Sequence, residues 1–393
     1  MKKTIRDIDV SGQRVLLRVD YNVPMNAELK ITDDTRITAT LPTINYLINH
    51  GAKVIICSHL GRPNGQVDTK LSLRPILARL SKLLDKPISF CEDIFDKSTS
   101  ELVEKMNNGD VLMLENIRFF PGEETNDEKL AKALANLADI FVFDAFATAH
   151  RKHASTYGVA KLVPTVAGFL VEQELKVFDK VLKDPDHPFV AILGGAKVSD
   201  KLPVIQNLLD KVDTILIGGG MAYTFIKSIG GNVGTSIVDN TKLELAKNIL
   251  DEAKEKNVKI LLPIDNIGAK EFSEESEIKR FNSGFFADDY QGMDIGPKTI
   301  KAFKKVIKKA KTIVWNGPLG VYEYEKFKHG TNKIAKYVAK SKAISLIGGG
   351  DSIAAIHSIG VTKKVTHMST GGGASLMLLQ GKQLPCIELI QEK

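Results

Sequence analysis

Cysteine is scarce in this chain of 393 residues: there are three, Cys57, Cys91 and Cys386. No two of them have metal-ligand spacing. So sparse and odd a count speaks against a secreted disulfide framework and predicts a reducing compartment. Cys57 closes the apolar run Val54-Ile55-Ile56, where an inert buried thiol is expected. Long hydrophobic runs are missing too, since no stretch reaches the roughly 18 residues that cross a bilayer. The opening MKKTIRDIDV has lysines with no apolar segment behind them, so no signal peptide is expected. These absences predict a soluble, cytoplasmic protein that does not bind membranes. Several catalytic signatures are also lacking. There is no G-x-x-x-x-G-K-[ST] phosphate loop, no H-E-x-x-H metal helix and no recognisable Ser-His-Asp or Cys-His spacing.

What is present is ordinary globular composition, 43% hydrophobic and 26% charged, in a length that suits two or three domains. Lys and Arg number 54 against 47 Asp and Glu, a net charge of +7. Lys298 to Lys311 holds seven lysines and no acid, so this one stretch accounts for the whole excess. Ile300, Phe303, Val306, Ile307 and Ala310 recur within it at helical spacing, which makes the lysines the solvated side of an amphipathic helix. No aromatic residue interleaves with the charged side, which argues against a nucleic-acid surface.

Short β-branched runs alternate with segments of helical period. In the first half they are Val15–Val19, Lys53–Cys57, Pro87–Phe90, Val111–Leu114 and Ile140–Phe143. In the second they are Phe189–Leu193, Thr214–Ile217, Lys259–Leu262, Thr312–Trp315, Ala343–Ile347 and Lys364–Met368. Apolar strands alternating with helices such as Leu130–Ala138 and Thr241–Lys254 imply parallel βαβ units covered on both faces. Eleven strands are many for one open sheet, so two α/β domains with doubly wound parallel sheets are expected. The joint between them is the amphipathic stretch 170–183, stopped by Pro185 and Pro188.

Ligands of open α/β sheets sit beyond the carboxyl ends of the strands. In the first half those loops are cationic: they carry Arg18, Asp20 and Asn22, then His59 and Arg62, then Arg118, then His150, Arg151 and His153, with Arg36 at the start of a helix. Any one arginine could simply make a surface ion pair. Four such loops on one sheet edge suit a small, multiply anionic ligand, because guanidinium forks match phosphate and carboxylate oxygens. In the second half the same positions are glycines: Gly194-Gly195, Gly218 to Gly220, Gly317 and Gly320, Gly348 to Gly350, and Gly371 to Gly373. Glycine lets main-chain N–H groups approach phosphate. The dinucleotide pattern G-x-G-x-x-G fails at Tyr223, Ile353 and Leu376, which demotes a nicotinamide dehydrogenase. Lys197, Lys201, Asn316, Glu323, Asp351 and Ser352 stand beside the glycines and suit a mononucleotide, with Asp351 available to Mg²⁺ and Glu323 to a ribose hydroxyl. A cationic site and a nucleotide site together suggest phosphoryl transfer. A carboxylate acceptor, already ionised at neutral pH, would need no general base.

Eleven segments in order resemble the phosphoglycerate kinase family: RVDYNVP (18–24), ITDDTRI (31–37), SHLGRP (58–63), LENIRF (114–119), DAFATAHRKHAS (144–155), GGAKVSDK (194–201), GGGMAYTF (218–225), DIGP (294–297), WNGPLGVYE (315–323), GGGDS (348–352) and STGGGAS (369–375). The resemblance implies reversible transfer between 1,3-bisphosphoglycerate and ADP, giving 3-phosphoglycerate and ATP with Mg²⁺, by a cytoplasmic monomer. It implies that Arg62, Arg118, Arg151 and His59 hold the phosphate of phosphoglycerate, Asp20 and Asn22 its hydroxyl end, and Arg36 its reacting carboxyl group. It implies a nucleotide site of Lys197, Lys201, Gly219, Gly292, Asn316, Glu323, Gly349, Gly350, Asp351 and Ser352, with Asp351 near the metal. Lys197 and the N–H groups of Gly371, Gly372 and Gly373 would stabilise the phosphoryl group in flight. It also implies a phosphoglycerate domain of residues 1–169 and 376–393, a linking helix 170–183, a nucleotide domain 184–375, and hinge closure between the two. Phe143 and Ala147 stand where the family usually has Asn and Gly, Tyr21 where it has Phe, and Met377 and Cys386 where it has Glu and Gly.

Overall fold

The computed structural model describes residues 1–393. The chain forms two units, Met1–Lys176 with Gln383–Lys393, and Val177–Lys382. The first contains six strands: β1 (Arg14–Arg18), β2 (Lys53–Cys57), β3 (Ser89–Cys91), β4 (Val111–Leu114), β5 (Ile140–Phe143) and β6 (Thr165–Ala167). They form one sheet in the order β3-β4-β2-β1-β5-β6, and every pairing is parallel. Val15 to Leu17, Val54 to Ile56 and Val111 to Leu114 are all buried, so the sheet is covered on both faces.

The second unit holds β7 (Phe189–Leu193), β8 (Thr214–Ile217) and β9 (Lys259–Leu261). It continues with β10 (Asp265–Ala269), β11 (Ile278–Asn282), β12 (Gln291–Ile295), β13 (Thr312–Asn316), β14 (Ile344–Gly348) and β15 (His367–Met368). Six of these pair in parallel in the order β15-β14-β13-β7-β8-β9, while β11-β10-β12 form a separate antiparallel sheet. The architecture is thus two α/β units with doubly wound parallel sheets, as expected. Neither the small antiparallel sheet nor β6 was expected. In β11 only Phe281 is buried, so this strand shows no apolar run. β6 is three residues long.

The amphipathic reading of the lysine stretch is correct. Helix Pro297–Ile307 buries Thr299, Ile300, Phe303 and Ile307, and its lysines face solvent. Helix Phe169–Lys183 spans the joint. Its first turn is held in the first unit, where Asp144 Oδ1 accepts from the Val171 N–H at 3.1 Å and Thr43 Oγ1 from the Phe169 N–H at 3.0 Å. The returning segment joins the first unit at Gln383, later than the 376 expected. Helix Gly373–Leu379 instead packs with helix Leu202–Leu208, where Asn207 Nδ2 donates to the Leu379 carbonyl at 2.9 Å. Beyond Gln383, the Lys3 N–H donates to the Gln391 carbonyl at 2.7 Å and the Gln391 N–H to the Thr165 carbonyl at 3.0 Å. No helix is long and apolar enough to cross a membrane.

Candidate active site

In each parallel sheet the connections run to opposite sides from a central pair of strands, β1 and β5 in one, β7 and β13 in the other. Such a reversal opens a crevice at the strands' carboxyl ends. Both clusters described below lie there.

In the first unit, β1 ends in Arg18, which is fully buried. Its Nε donates to Ser155 Oγ at 2.9 Å, its Nη1 to the Val19 carbonyl, and its Nη2 faces His59 Nδ1 at 3.3 Å. His59 follows β2 and is itself buried. Burial, reinforced by the charges of Arg18, Arg118, Arg151 and Arg36, drives its pKa well below the usual histidine range. The imidazole is therefore neutral, with the Arg18 guanidinium in direct contact with it. Arg118, in the turn Ile117–Phe119, donates to the Gly61 carbonyl at 2.6 Å and pairs with Glu124 at 3.2 Å. Burial lowers its pKa, and Arg151 and Arg18 add to the effect. Arg36 pairs with Asp20, and Asn22 Oδ1 accepts from the Gly61 N–H at 2.9 Å. Arg62 is exposed on the same loop and Arg151 is half-buried. The Arg151 carbonyl accepts from Cys386 Sγ at 3.3 Å, so the returning segment braces this loop. Tyr21 is accommodated because its hydroxyl lies 2.9 Å from Thr40 Oγ1.

Sequence reading missed the support beneath these cations. Glu123 is fully buried and accepts from Ser155 Oγ at 2.6 Å and the Ser155 N–H at 2.9 Å. Burial pushes its carboxyl up, but His153, Arg18 and Ser155 together outweigh that and hold it below the usual range. Glu123 stands in no motif and lies 32 residues from Ser155, so no spacing rule could have found the pair.

In the second unit the crevice is made of main chain. Gly195 donates its N–H to the Pro318 carbonyl at 2.8 Å and Gly219 to Leu319 at 3.1 Å. At Gly317, φ is +97° and a Cβ would lie 2.3 Å from the Gly194 carbonyl oxygen. At Gly219, φ is +65° and a Cβ would meet Pro318 O at 2.7 Å. These two glycines are therefore required by the seam itself. Gly349 precedes helix Gly350–Ser358, and a Cβ at Gly350 would meet nothing within 4 Å. Gly372 and Gly373 open helix Gly373–Leu379 on a similarly bare approach at Gly372. Ser352 faces inward, its Oγ accepting from the Gly317 N–H at 2.8 Å. Lys201 Nζ donates to Asn316 Oδ1 at the end of β13, and burial lowers the Lys201 pKa to about 8. Lys197, Glu323 and Asp351 are exposed. Gly292 lies in β12, where a Cβ would be 1.9 Å from the Tyr223 hydroxyl, so packing alone demands glycine there.

No group of three or more His, Cys, Asp or Glu side chains is arranged to hold a metal ion. Asp351, one exposed carboxylate in the first turn of its helix, fits Mg²⁺ that is bound mainly by phosphate and water.

The phosphoglycerate kinase family model matches residues 5–382. Phosphoglycerate kinases of Finegoldia magna and Pseudothermotoga lettingae are each 53% identical to the chain, over 394 and 395 residues, with 100% of both partners covered. The solved structure of phosphoglycerate kinase from Coxiella burnetii aligns with a TM-score of 0.91 at 42% identity over 99% of each chain. That from Pyrococcus horikoshii aligns with a TM-score of 0.80 at 36% identity, over 99% of this chain and 98% of its own. Matched along nearly its whole length, and identical at half its positions to relatives that it covers end to end, the chain belongs to the phosphoglycerate kinase family.

Proposed function

We propose that the protein catalyses reversible, Mg²⁺-dependent phosphoryl transfer between 1,3-bisphosphoglycerate and ADP, giving 3-phosphoglycerate and ATP, as a step of glycolysis and gluconeogenesis. The observation that carries the reading is that one crevice of the first unit gathers cationic side chains: Arg18 against buried His59, Arg118 on the Gly61 carbonyl, and Arg36 on Asp20, which itself lies 3.9 Å from His59. Cations this close repel one another, and an anion with charge at both ends relieves the repulsion. In this reading Arg62, Arg118, Arg151 and His59 bind the phosphate of phosphoglycerate, Asp20 and Asn22 its hydroxyl, and Arg36 its carboxyl group. The carboxylate is ionised at neutral pH and needs no base. A histidine with a depressed pKa is a poor proton acceptor, which suits a binding role for His59.

The nucleotide reading rests on the glycine seam. Main-chain N–H groups at Gly349 and Gly350 receive phosphate, Lys197, Lys201 and Asn316 contact its oxygens and Glu323 a ribose hydroxyl, with Gly219, whose own N–H is held by Leu319, and Ser352 shaping the seam. Gly292 joins the nucleotide site on the family resemblance. Mg²⁺ bound with the nucleotide near Asp351 would neutralise phosphate charge. Lys197 and the N–H groups of Gly371 to Gly373 stabilise the transferring group, whose chemistry needs positioning and charge stabilisation more than covalent help. Transfer requires reacting atoms about 3–3.5 Å apart. Closure about the 170–183 helix is therefore part of the proposal, and it would keep water from the acyl phosphate. A monomer in the cytoplasm, binding neither nucleic acid nor membrane, completes the reading.

The test is a coupled assay of ADP formation with 3-phosphoglycerate, ATP and Mg²⁺, beside the same mixtures without phosphoglycerate or without Mg²⁺. Turnover that requires both is expected. ADP formation that ignores phosphoglycerate would refute the reading.

A further inference from the structure

We propose that Arg18 and Glu123 are positioning residues for phosphoglycerate: acting through Ser155, they hold the His59 ring in the tautomer that carries its proton on Nε2 and offers that N–H to the bound anion. The inference rests on reading the first-unit cluster as the phosphoglycerate site.

A guanidinium nitrogen only donates hydrogen bonds, so the His59 Nδ1 that Arg18 Nη2 faces at 3.3 Å must present its lone pair. A neutral imidazole has one ring proton, which is then on Nε2. The ring is kept neutral by its burial and by the surrounding charges of Arg18, Arg118, Arg151 and Arg36. The one acid that faces it, Asp20, approaches Nδ1 only to 3.9 Å, beyond hydrogen-bond reach, and is engaged by Arg36. The ring's hydrogen bond within the protein is made through Nδ1 and the side chain keeps 5% exposure, which leaves Nε2 unengaged. It is the ring atom left free for a ligand.

The tautomer is therefore only as well defined as the orientation of Arg18. Three bonds fix that orientation, to His59, to the Val19 carbonyl and to Ser155 Oγ. Ser155 in turn passes its hydroxyl proton's bond to Glu123 Oε1 at 2.6 Å, while its N–H occupies Oε2 at 2.9 Å. This leaves the Ser155 lone pair aimed at Arg18 rather than its proton. A carboxylate that merely neutralised Arg18 would not need the intervening hydroxyl. Glu123 touches no ligand in this scheme and acts only by orientation, as outer-shell partners of histidine do elsewhere.

The test uses the full-length protein labelled with ¹⁵N in histidine, with His59 assigned from the signal lost in His59→Gln. In the wild type at neutral pH, proton-coupled nitrogen spectra are expected to place the His59 proton on Nε2 alone. Ser155→Ala removes the relay but leaves both charges. It is expected to give a mixture of tautomers and to raise KM for 3-phosphoglycerate by about tenfold, the scale of one lost hydrogen bond to a charged group, with KM for ATP unchanged. Glu123→Gln, of equal volume, is expected to act in the same direction. A proton on Nδ1 in the wild type would overturn the inference. So would a Ser155→Ala protein that keeps the single tautomer, or one whose two KM values rise together. Because the tautomer is read without substrate, the two levels separate. A wrong tautomer beside normal turnover ends this inference alone, whereas a wild type with no phosphoglycerate-dependent turnover ends the functional reading on which it rests.

Discussion

The two crevices have the same topological position and opposite chemistry. In the first unit the crevice is built from side chains that already hold one another: Arg36 on Asp20, Arg118 on Gly61 and Glu124, Arg18 on Ser155 and His59. In the second it is built largely from main chain, with glycine at 195, 219 and 317 in left-handed conformation and the side chains of Lys201, Asn316 and Ser352 beside it. Under the proposed function the difference amounts to two ways of meeting phosphate. Guanidinium forks bring charge and directional grip but repel each other, so buried Glu123 and the partners Asp20 and Glu124 are needed to offset the repulsion. Peptide N–H groups bring no net charge and no side-chain entropy cost, but they tolerate no Cβ where strands meet. The first crevice should therefore be sensitive to charge and the second to shape.

That contrast can be broken most forcefully at the residues assigned to the transferring group. Arg36→Ala and Lys197→Ala are each expected to lower kcat by two or more orders of magnitude, about 3 kcal/mol of transition-state stabilisation. Near-normal turnover in either variant removes that residue from the scheme. A pair of glycine substitutions sharpens the shape argument. Gly317→Ala puts a Cβ 2.3 Å from the Gly194 carbonyl at φ +97°. It should lower stability in denaturant titrations by about 1–3 kcal/mol. Gly350→Ala meets nothing within 4 Å, so stability should hold while KM for ATP rises several-fold as the phosphate approach is obstructed. If Gly350→Ala binds ATP normally, phosphate does not approach there.

Two pH profiles carry smaller effects. Burial brings the Lys201 ammonium to about 8, below its ordinary 10.5. Between these values the folded protein has lost a proton that the unfolded chain keeps, so this group's contribution to stability rises with pH. The proposed nucleotide site meanwhile loses a cation, and kcat/KM for ATP should fall above pH 8. Lys201→Arg, charged throughout, should flatten that fall, and an unchanged profile would remove Lys201 from the nucleotide site. In the first unit burial lifts the Asp144 carboxyl to about 6, from an ordinary 3.8, despite its bond from Thr43. Over that window the folded state holds a proton that the unfolded state has released, so this contribution to stability falls as pH rises. Asp144→Asn can still accept from Val171 and should flatten the stability profile between those values, which thermal melts at a series of pH values would read.

Much of the fold was legible because strands buried on both faces must be apolar, as Val54 to Ile56 and Val111 to Leu114 are. β10 to β12 escaped notice because a half-exposed antiparallel sheet carries polar residues, as Lys279 and Arg280 in β11 do. The cations of the first crevice were legible for a different reason: they follow strands whose ends could be located. Glu123 was not, because its partners Ser155 and His153 reach it only through the fold. Gly292 shows the converse limit. Its resemblance to a nucleotide-site glycine was visible, whereas the Tyr223 hydroxyl that would occupy the same space was not.

The central claim is that phosphoglycerate binds to side chains of the first unit and nucleotide to the glycine seam of the second with its flanking side chains. Amide NMR titration of the full chain with each ligand alone tests it most directly. With 3-phosphoglycerate, the account predicts shifts centred on Asn22, Gly61, Arg118 and Arg151; with ADP and Mg²⁺, it predicts shifts centred on Gly195, Gly219, Gly317 and Gly350. Both ligands shifting the same set of amides would contradict it.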